Sequence, residues 1–264
     1  MGGSCWPMSS KGCAVLKKRL IGVITVRNGW AVQSFGYRRY LPLGKPEVLA
    51  ENLDRWGVDE ILLQCIDRSV RGSGPDLALL EKIGQLGLGT PLIYAGGIRT
   101  ADEGGEAIRF GADRICIDAV LHDDPGAVAA LSERLGAQAL IAALPLANEG
   151  GTLGWVDYRS GKAGKLDEKI TGLLQDKVVS EAMVIDWKNE GRVAGFDFSL
   201  IEKFPQLDVP LIAFGGLSEA GQMQKALELT QVAAVAVGNF LSYREHAVAR
   251  FKEQLVGVPL RMPV

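Results

Sequence analysis

The chain has 264 residues, with 29 Lys and Arg against 31 Asp and Glu, a formal net charge of −2 and 47% hydrophobic residues. A charge this close to zero gives no long-range attraction to nucleic acid or to an anionic membrane, and the apolar runs are well short of the roughly 18 residues of a membrane span. Four cysteines without a Cys-x-x-Cys pair argue against a disulfide framework and against structural zinc. The composition predicts a globular protein of the reducing cytoplasm, with no metal and no cofactor.

The first 18 residues differ in composition from the rest of the chain. Residues 1–14 are rich in Gly, Ser and Cys, with neither a charged start nor an apolar centre. Residues 1–18 are therefore predicted to be a flexible extension, not a signal peptide, and residues 19–264 to form one domain.

From Arg19 onward, short β-branched apolar runs alternate with longer segments of helical periodicity, which is typical of βα units on a parallel sheet. The eight predicted strands are Leu20–Val26, Glu60–Ile66, Pro91–Ala95, Arg114–Val120, Ala139–Pro145, Ala182–Trp187, Pro210–Phe214 and Val232–Val237. The predicted helices are Pro46–Trp56, Asp76–Leu86, Ala101–Phe110, Pro125–Leu135, Leu166–Asp176, Leu200–Phe204 and Ser218–Leu229. The segment 29–45, before the first helix, is predicted to be a loop.

Eight βα units in this length suit either a closed barrel or a doubly wound open sheet. Internal repetition separates the two folds. Pro91-Leu92-Ile93 with its following glycine pair recurs as Pro210-Leu211-Ile212 about half a chain later, and Glu60 recurs as Glu181 at nearly the same interval. The sequence therefore predicts an α/β protein, a (β/α)8 TIM barrel built from two half-barrel repeats.

Glycine pairs follow the third and the seventh predicted strands, at the ends where such barrels carry their active face. Consecutive amides without side chains can converge on an anion, although a single pair also fits a tight turn alone. The predicted phosphate-binding residues are Gly96, Gly97, Gly215, Gly216, Gly238 and Asn239. Because an ionised Asp118 would repel phosphate near the first pair, the second pair is the stronger prediction.

Three carboxylates near strand ends are the predicted acid–base groups. Glu190 is the first choice, with Asp67 and Asp186 behind it. Each also fits an ordinary loop carboxylate that caps a helix or pairs with an arginine. His122 and His246 are isolated, and neither is predicted to act in catalysis.

Four residues of alternating charge lie at the opposite ends of the strands: Arg19, Glu60, Arg114 and Glu181. They are predicted to close into a salt-bridged ring at the bottom of the barrel. Such a ring either serves stability alone or gates an axial passage.

Residues 19–244 resemble the cyclase subunit of imidazole glycerol phosphate synthase, in the histidine-biosynthesis barrel family. The matching motifs are Arg19-Leu20-Ile21, Val58-Asp59-Glu60-Ile61, Ala95-Gly96-Gly97-Ile98, Gly111-Ala112-Asp113-Arg114, Glu190-Gly191, Gly195-Phe196-Asp197 and Phe214-Gly215-Gly216. The resemblance implies a heterodimer in which a glutaminase subunit docks on the barrel bottom and supplies ammonia to a bisphosphorylated ribulosyl substrate. It also implies gate roles for the four charged residues and phosphate roles for the glycine pairs and Asn239.

The active face departs from the family's pattern. Thr25 and Glu190 stand where the family has its two catalytic aspartates, Gln33 where it has a lysine and Cys65 where it has a further aspartate. The stretch 38–60 resembles a divergent branch in bacterial surface-glycan (lipopolysaccharide) pathways, which implies amidine formation on an acetamido sugar nucleotide. Three hypotheses stay open: a cyclase with altered catalytic groups, a divergent ammonia-dependent amidotransferase subunit, and a non-catalytic barrel that binds a glutaminase.

Overall fold

The computed structural model describes residues 17–242, 246–255 and 257–260. The strands in these ranges are β1 (Arg19–Arg27), β2 (Trp30–Phe35), β3 (Arg39–Gly44), β4 (Glu60–Cys65), β5 (Leu92–Ala95), β6 (Arg114–Ile117), β7 (Leu140–Glu149), β8 (Thr152–Asp157), β9 (Lys162–Lys165), β10 (Glu181–Asp186), β11 (Leu211–Phe214) and β12 (Val232–Val237). The helices are α1 (Pro46–Trp56), α2 (Arg68–Arg71), α3 (Leu77–Gly84), α4 (Ala101–Arg109), α5 (Val120–Asp123), α6 (Pro125–Leu135), α7 (Glu168–Gln175), α8 (Ser199–Glu202), α9 (Ala220–Glu228) and α10 (Ala247–Gln254). Two short 3-10 helices cover Ala137–Ala139 and Asn239–Ser242.

Eight parallel strands close into a barrel. Their order is β1, β4, β5, β6, β7, β10, β11 and β12, and β12 pairs in parallel with β1 to complete the circle. Helices connect consecutive strands, as parallel pairing requires. The predicted (β/α)8 barrel is confirmed.

Alternate side chains of the barrel strands enter two separate cores, because successive residues of a strand point to opposite faces. One face packs outward against the helices. The buried residues of the inward core are Ile21, Val23, Leu62, Ile93, Ala95, Cys116, Ile141, Ala143, Met183, Ile185, Ile212, Phe214, Ala234 and Ala236. The inward core is therefore apolar along the barrel axis.

Local signals fix the helix ends. Helix α1 begins with Pro46, whose missing N–H costs no hydrogen bond in the first turn. It ends at Trp56, and the next residue, Gly57, terminates it with a left-handed backbone at φ of +78°. Helix α4 begins with a capping box, in which Thr100 Oγ1 accepts from Glu103 N at 3.2 Å and Glu103 Oε2 accepts from Thr100 N at 3.1 Å. The predicted bounds of α1 and α6 are confirmed. The fourth predicted strand is wrong in its last residues, because Val120 begins helix α5.

The segment 29–45 is a β-hairpin, so the predicted loop is wrong. Strand β2 pairs antiparallel with both β1 and β3. The connection from β1 to β2 is Asn28-Gly29, with φ of +52° and +76°, which is the left-handed backbone of a two-residue hairpin turn. A second such hairpin extends from β7, where Gly150-Gly151 leads into β8, and β9 pairs with β8. Both extensions project from the carboxyl ends of barrel strands, the top of the barrel.

The predicted extension lies mostly outside the described residues, so for residues 1–16 it stays a prediction. Lys18, which directly precedes β1, bonds to a segment near the other end of the chain: its N–H donates to Pro259 O at 2.9 Å. Its ammonium donates to Val232 O at 2.6 Å. Within the described ranges, no helix has both the length and the apolar sequence to cross a membrane.

Gly104 and Gly105, neighbours in α4, make a matched pair for testing the packing of α4 on α6. A β-carbon at Gly104 would overlap Leu131 Cδ2, whereas one at Gly105 would meet the side chain of Arg134, with Nε at 3.0 Å. We expect Gly104→Ala to lower the free energy of unfolding by about 1–3 kcal/mol through overpacking. Gly105→Ala should change it little or raise it by up to about 1 kcal/mol, because alanine restricts the unfolded chain. Urea denaturation measures both, and equal effects would contradict the close packing.

Candidate active site

Four charged side chains close the bottom of the barrel, and each arginine contacts both glutamates. Arg19 Nη1 donates to both Glu60 oxygens at 3.1 Å, and Arg19 Nη2 bonds Glu181 Oε1. Arg114 Nη2 lies 2.7 Å from Glu181 Oε2, and Arg114 Nη1 lies 3.4 Å from Glu60 Oε1. The alternation of charge in the sequence thus produces a closed ring, called the charged ring below.

The charged ring is mostly removed from solvent. The four side chains are between 6% and 16% exposed. Although burial opposes the charge, Glu181 and Glu60 together raise the pKa of Arg19. Removing one member of such a ring would leave an opposite charge buried without its partner, which costs more than the intact pairs contribute.

An aromatic pocket of about 120 Å³ opens at the other end of the barrel axis. Tyr37, from the hairpin, stacks on Trp187 with ring centroids 4.8 Å apart and planes 13° apart. Tyr158, from the turn between β8 and β9, lies tilted against Trp187 with centroids 6.2 Å apart. The floor includes Ala143 and Ile185, which belong to the inward core. The pocket therefore lies where the apolar axis reaches the top face.

Few polar groups face the aromatic pocket. Gln64 Oε1 accepts from the Tyr37 hydroxyl at 3.4 Å. Burial raises the pKa of Cys65 to about 12, so this thiol stays protonated at neutral pH and is no nucleophile. Asp118 is the one carboxylate among the residues that line the pocket.

The first glycine cradle, Gly96–Gly97, is filled by the protein's own side chains. Gly97 N donates to Ser69 Oγ at 2.9 Å, and Ser69 Oγ donates to Asp118 Oδ2 at 3.0 Å. The Tyr158 hydroxyl also donates to Asp118. A phosphate placed here would have to displace Ser69 and meet a carboxylate, so the predicted phosphate role of this pair stays a prediction that the geometry opposes.

The second glycine cradle gathers the remaining predicted phosphate residues around one small cavity. They are Gly215, Gly216, Gly238 and Asn239. Thr25 and Glu190 also line the cavity. The Asn239 amide is bonded to the hairpin, because its Nδ2 donates to Ser34 O at 2.6 Å and its Oδ1 accepts from Ser34 N at 3.1 Å. The hairpin is therefore bonded to one of the residues that line this cradle.

Glu190 holds the β2–β3 hairpin over the barrel. Its side chain is buried, and Oε2 accepts from Ser34 Oγ at 3.0 Å and from Tyr37 N at 3.1 Å. Its carbonyl oxygen accepts from Gly36 N at 2.9 Å. Burial raises the pKa of Glu190, although these hydrogen bonds oppose the shift. A carboxyl group with a raised pKa beside the second cradle suits a general acid or base, and that predicted role remains untested.

Asp186 and Asp67 each stabilise the segment that follows their strand. Asp186 is 1% exposed, and its oxygens accept from Asn189 N at 3.1 Å and from Asp197 N at 2.8 Å, which shapes the loop after β10. Burial raises the pKa of Asp186. Asp67 pairs with Arg71 at 3.2 Å. Neither aspartate lines the aromatic pocket or the second cradle. Both fit the loop-carboxylate alternative, and their catalytic roles stay predictions.

Sequence analysis missed the aromatic pocket. Its walls come from Tyr37 and Tyr158, which lie on the two unpredicted hairpins, and from Trp187, which follows β10. The pairs Asn28-Gly29 and Gly150-Gly151 were the signals for those hairpins.

Known proteins similar to this chain point to one family. The family model described as "Histidine biosynthesis protein" matches residues 19–247. The imidazole glycerol phosphate synthase subunit HisF of Thermococcus gammatolerans is 29% identical over 254 residues, covering 94% of this chain and 99% of that one. A provisionally named hisF2 subunit of the same synthase, from Vibrio vulnificus strain YJ016, is 26% identical and covers 94% of this chain and 92% of its own. HisF of Lysinibacillus sphaericus is 28% identical, covering 91% and 97%.

Glu190→Gln should change how stability depends on pH. Because burial raises the pKa of Glu190 above its usual value of 4.5, the folded state binds this proton more tightly than the unfolded chain does. The wild-type free energy of unfolding therefore falls as pH rises from the unfolded pKa through the raised folded pKa. The glutamine keeps an acceptor oxygen but cannot ionise, so the variant should gain stability relative to wild type across that window.

Urea denaturation of wild type and Glu190→Gln at about pH 4 and about pH 8 measures this difference. Glu106→Gln, at an exposed position of α4, is the control and should show no such trend. A wild-type advantage that grows with pH would contradict the burial of an ionised Glu190.

Proposed function

Because the chain belongs to the histidine biosynthesis protein family, we propose that it is the ammonia-accepting synthase subunit of a heterodimer with a glutaminase, acting on a phosphorylated substrate. The observation that carries the proposal is the charged ring, which closes one end of an apolar axis while the candidate active site lies at the other. The names of the relatives, each a synthase subunit, support the same assignment.

A gate explains the charged ring better than a plug does. Apolar residues of similar volume would seal a barrel mouth at lower cost than four partly buried charges. An ion-paired ring can part when a partner competes for its members, and it then admits a small neutral molecule. An open groove of about 610 Å³ lies directly below the ring and includes Arg19, Arg114 and Glu181 in its lining. We therefore place the docking face of the glutaminase there.

The apolar interior suits ammonia as the cargo. The inward core would penalise a charged ammonium ion heavily, whereas neutral ammonia pays a far smaller cost. Small side chains, Ala95 and Ala143, lie at the upper end of this core and also line the aromatic pocket. Exclusion of water there would protect ammonia and a reactive intermediate from side reactions.

At the top face, Glu190 would act as the general acid or base, which its raised pKa supports. The amides of the second glycine cradle would hold a substrate phosphate, since Gly215, Gly216 and Gly238 offer backbone without side chains. Asn239 would add its side-chain amide to these donors only if its hydrogen bonds to Ser34 opened.

The filled first cradle favours a second candidate function. A substrate with phosphates at both ends needs both cradles, yet Asp118 and Ser69 occupy the first. That observation favours a different ammonia acceptor, as in an amidotransferase subunit that makes an amidino sugar nucleotide for surface glycan.

The primary experiment supplies the purified chain with ammonium at alkaline pH and follows consumption of the ribulosyl bisphosphate substrate of histidine biosynthesis. Consumption that Glu190→Gln abolishes would support a cyclase. Absence of turnover by folded protein that still binds its glutaminase would overturn the cyclase assignment, leaving another acceptor or the non-catalytic barrel.

Arg114→Ala should uncouple the two ammonia sources. We expect the glutamine-driven reaction of the complex to fall several-fold because the opened ring leaks ammonia, while the reaction driven by added ammonium persists. Arg114→Lys, which keeps the charge, should retain most coupling. Arg134→Ala, at an arginine paired with Asp102 on the helical exterior, is the control. Equal loss of both reactions in folded Arg114→Ala would contradict a gate.

Asp118→Asn tests whether the first cradle excludes phosphate. Replacing the carboxylate removes a repulsion worth on the order of 1 kcal/mol or more at close range, so affinity for a bisphosphate should rise about tenfold. Isothermal titration of wild type and variant with the ribulosyl bisphosphate measures the change. Asp102→Asn, on the exterior of α4, is the matched control, and unchanged affinity in Asp118→Asn would contradict the exclusion.

A further inference from the structure

An open groove lies on the top face between the turn of the β2–β3 hairpin and the loop that follows β10. Its volume is about 610 Å³, within the range of ligand-binding clefts, and it is separate from both glycine cradles. Arg38 and Arg39 line one wall, and Lys188 and Arg192 line the other. We call it the arginine groove.

The positive charge of the arginine groove is not balanced by the protein. Arg38, Arg39 and Arg192 are exposed, and no Asp or Glu in the described part of the chain lies within ion-pair distance of them. Lys188 pairs with Glu149 at 3.1 Å. Glu190 also lines the groove, but its Oε2 is directed at the hairpin backbone. Such a cluster of like charges in a concave site attracts an anion and raises its local concentration.

The hairpin presents its two arginines from a backbone that is already fixed. The turn contains Gly36 and Tyr37 at φ of +62° and +52°, and a tyrosine pays a steric cost in this left-handed region. Glu190 offsets that cost by accepting hydrogen bonds from both N–H groups. The Arg39 guanidinium also lies 5.0 Å from the centre of the Phe35 ring, which restricts its motion. Binding therefore requires little ordering of the hairpin backbone or of Arg39.

We propose that the arginine groove binds a ligand that carries a diphosphate. A guanidinium donates two parallel hydrogen bonds to one phosphate, and three unpaired guanidinium groups match two adjacent phosphates better than one. Trp187 lines both this groove and the aromatic pocket, so the uncharged part of the same ligand would extend across Trp187 into that pocket. The concave shape favours a small ligand over the surface of an acidic protein. This inference does not depend on the glutaminase or on ammonia.

The test titrates inorganic pyrophosphate into the full chain at low ionic strength and measures binding by calorimetry. We expect saturable binding. The double variant Arg38→Gln/Arg39→Gln should weaken it at least about tenfold, because both hairpin guanidinium groups lose their charge-assisted hydrogen bonds to phosphate. Arg192→Gln, on the opposite wall of the groove, should also weaken pyrophosphate binding. Arg109→Gln removes an exposed arginine of α4 and should leave affinity unchanged. Thermal melting of each variant verifies its folding.

Three outcomes would overturn the proposal. The first is no pyrophosphate binding by wild type, and the second is binding that the groove variants leave unchanged, which would assign the anion to a glycine cradle. The third is competition by a poly-glutamate peptide as effective as that of pyrophosphate, which would make the groove a docking surface for an acidic protein. Since ammonium and glutaminase are absent from this experiment, its failure would leave the proposed synthase function untouched.

Discussion

The hydrogen bonds between Glu190 and the β2–β3 hairpin shape the part of the top face that contains the candidate sites. Its carboxylate and carbonyl oxygens accept from the turn at Gly36 and Tyr37 and from Ser34 Oγ. With the turn in place, Tyr37 stacks on Trp187 to form one wall of the aromatic pocket, and Ser34 bonds Asn239 at the second cradle. The same turn positions the two hairpin arginines. One buried carboxyl group thus shapes three neighbouring sites.

The two half-barrels share a backbone plan but differ in the side chains that fill it. Both glycine pairs have positive φ and follow equivalent strands. In the first half, Ser69 and Asp118 satisfy the cradle from within. In the second half, Asn239 of the cradle is bonded to Ser34, which belongs to the β2–β3 hairpin. The repeat therefore yields one cradle that is bonded to side chains of its own half and one that is bonded to a hairpin of the other half.

Sequence periodicity predicted what depends on neighbours close in the chain. The eight barrel strands follow from apolar runs, and the ends of α1 follow from Pro46 and Gly57. The charged ring could also be predicted from the sequence, because a parallel barrel brings the same ends of all strands together. The burial of Asp186 could not be predicted in this way, because the positions of its partners Asn189 and Asp197 depend on how an irregular loop folds back. Charge and position alone cannot distinguish such a loop carboxylate from a catalytic one.

Access to the second cradle and access to the arginine groove place different demands on the fold. Use of the Asn239 amide by a phosphate would break its two hydrogen bonds to Ser34, and displacement of the hairpin would also break those of Glu190, each worth about 1 kcal/mol. The stacking of Tyr37 on Trp187 adds about 0.5–1.5 kcal/mol. The arginine groove, by contrast, is open with the hairpin docked. A ligand that enters the groove therefore leaves these hairpin contacts intact, whereas one that needs the Asn239 amide must break its bonds to Ser34.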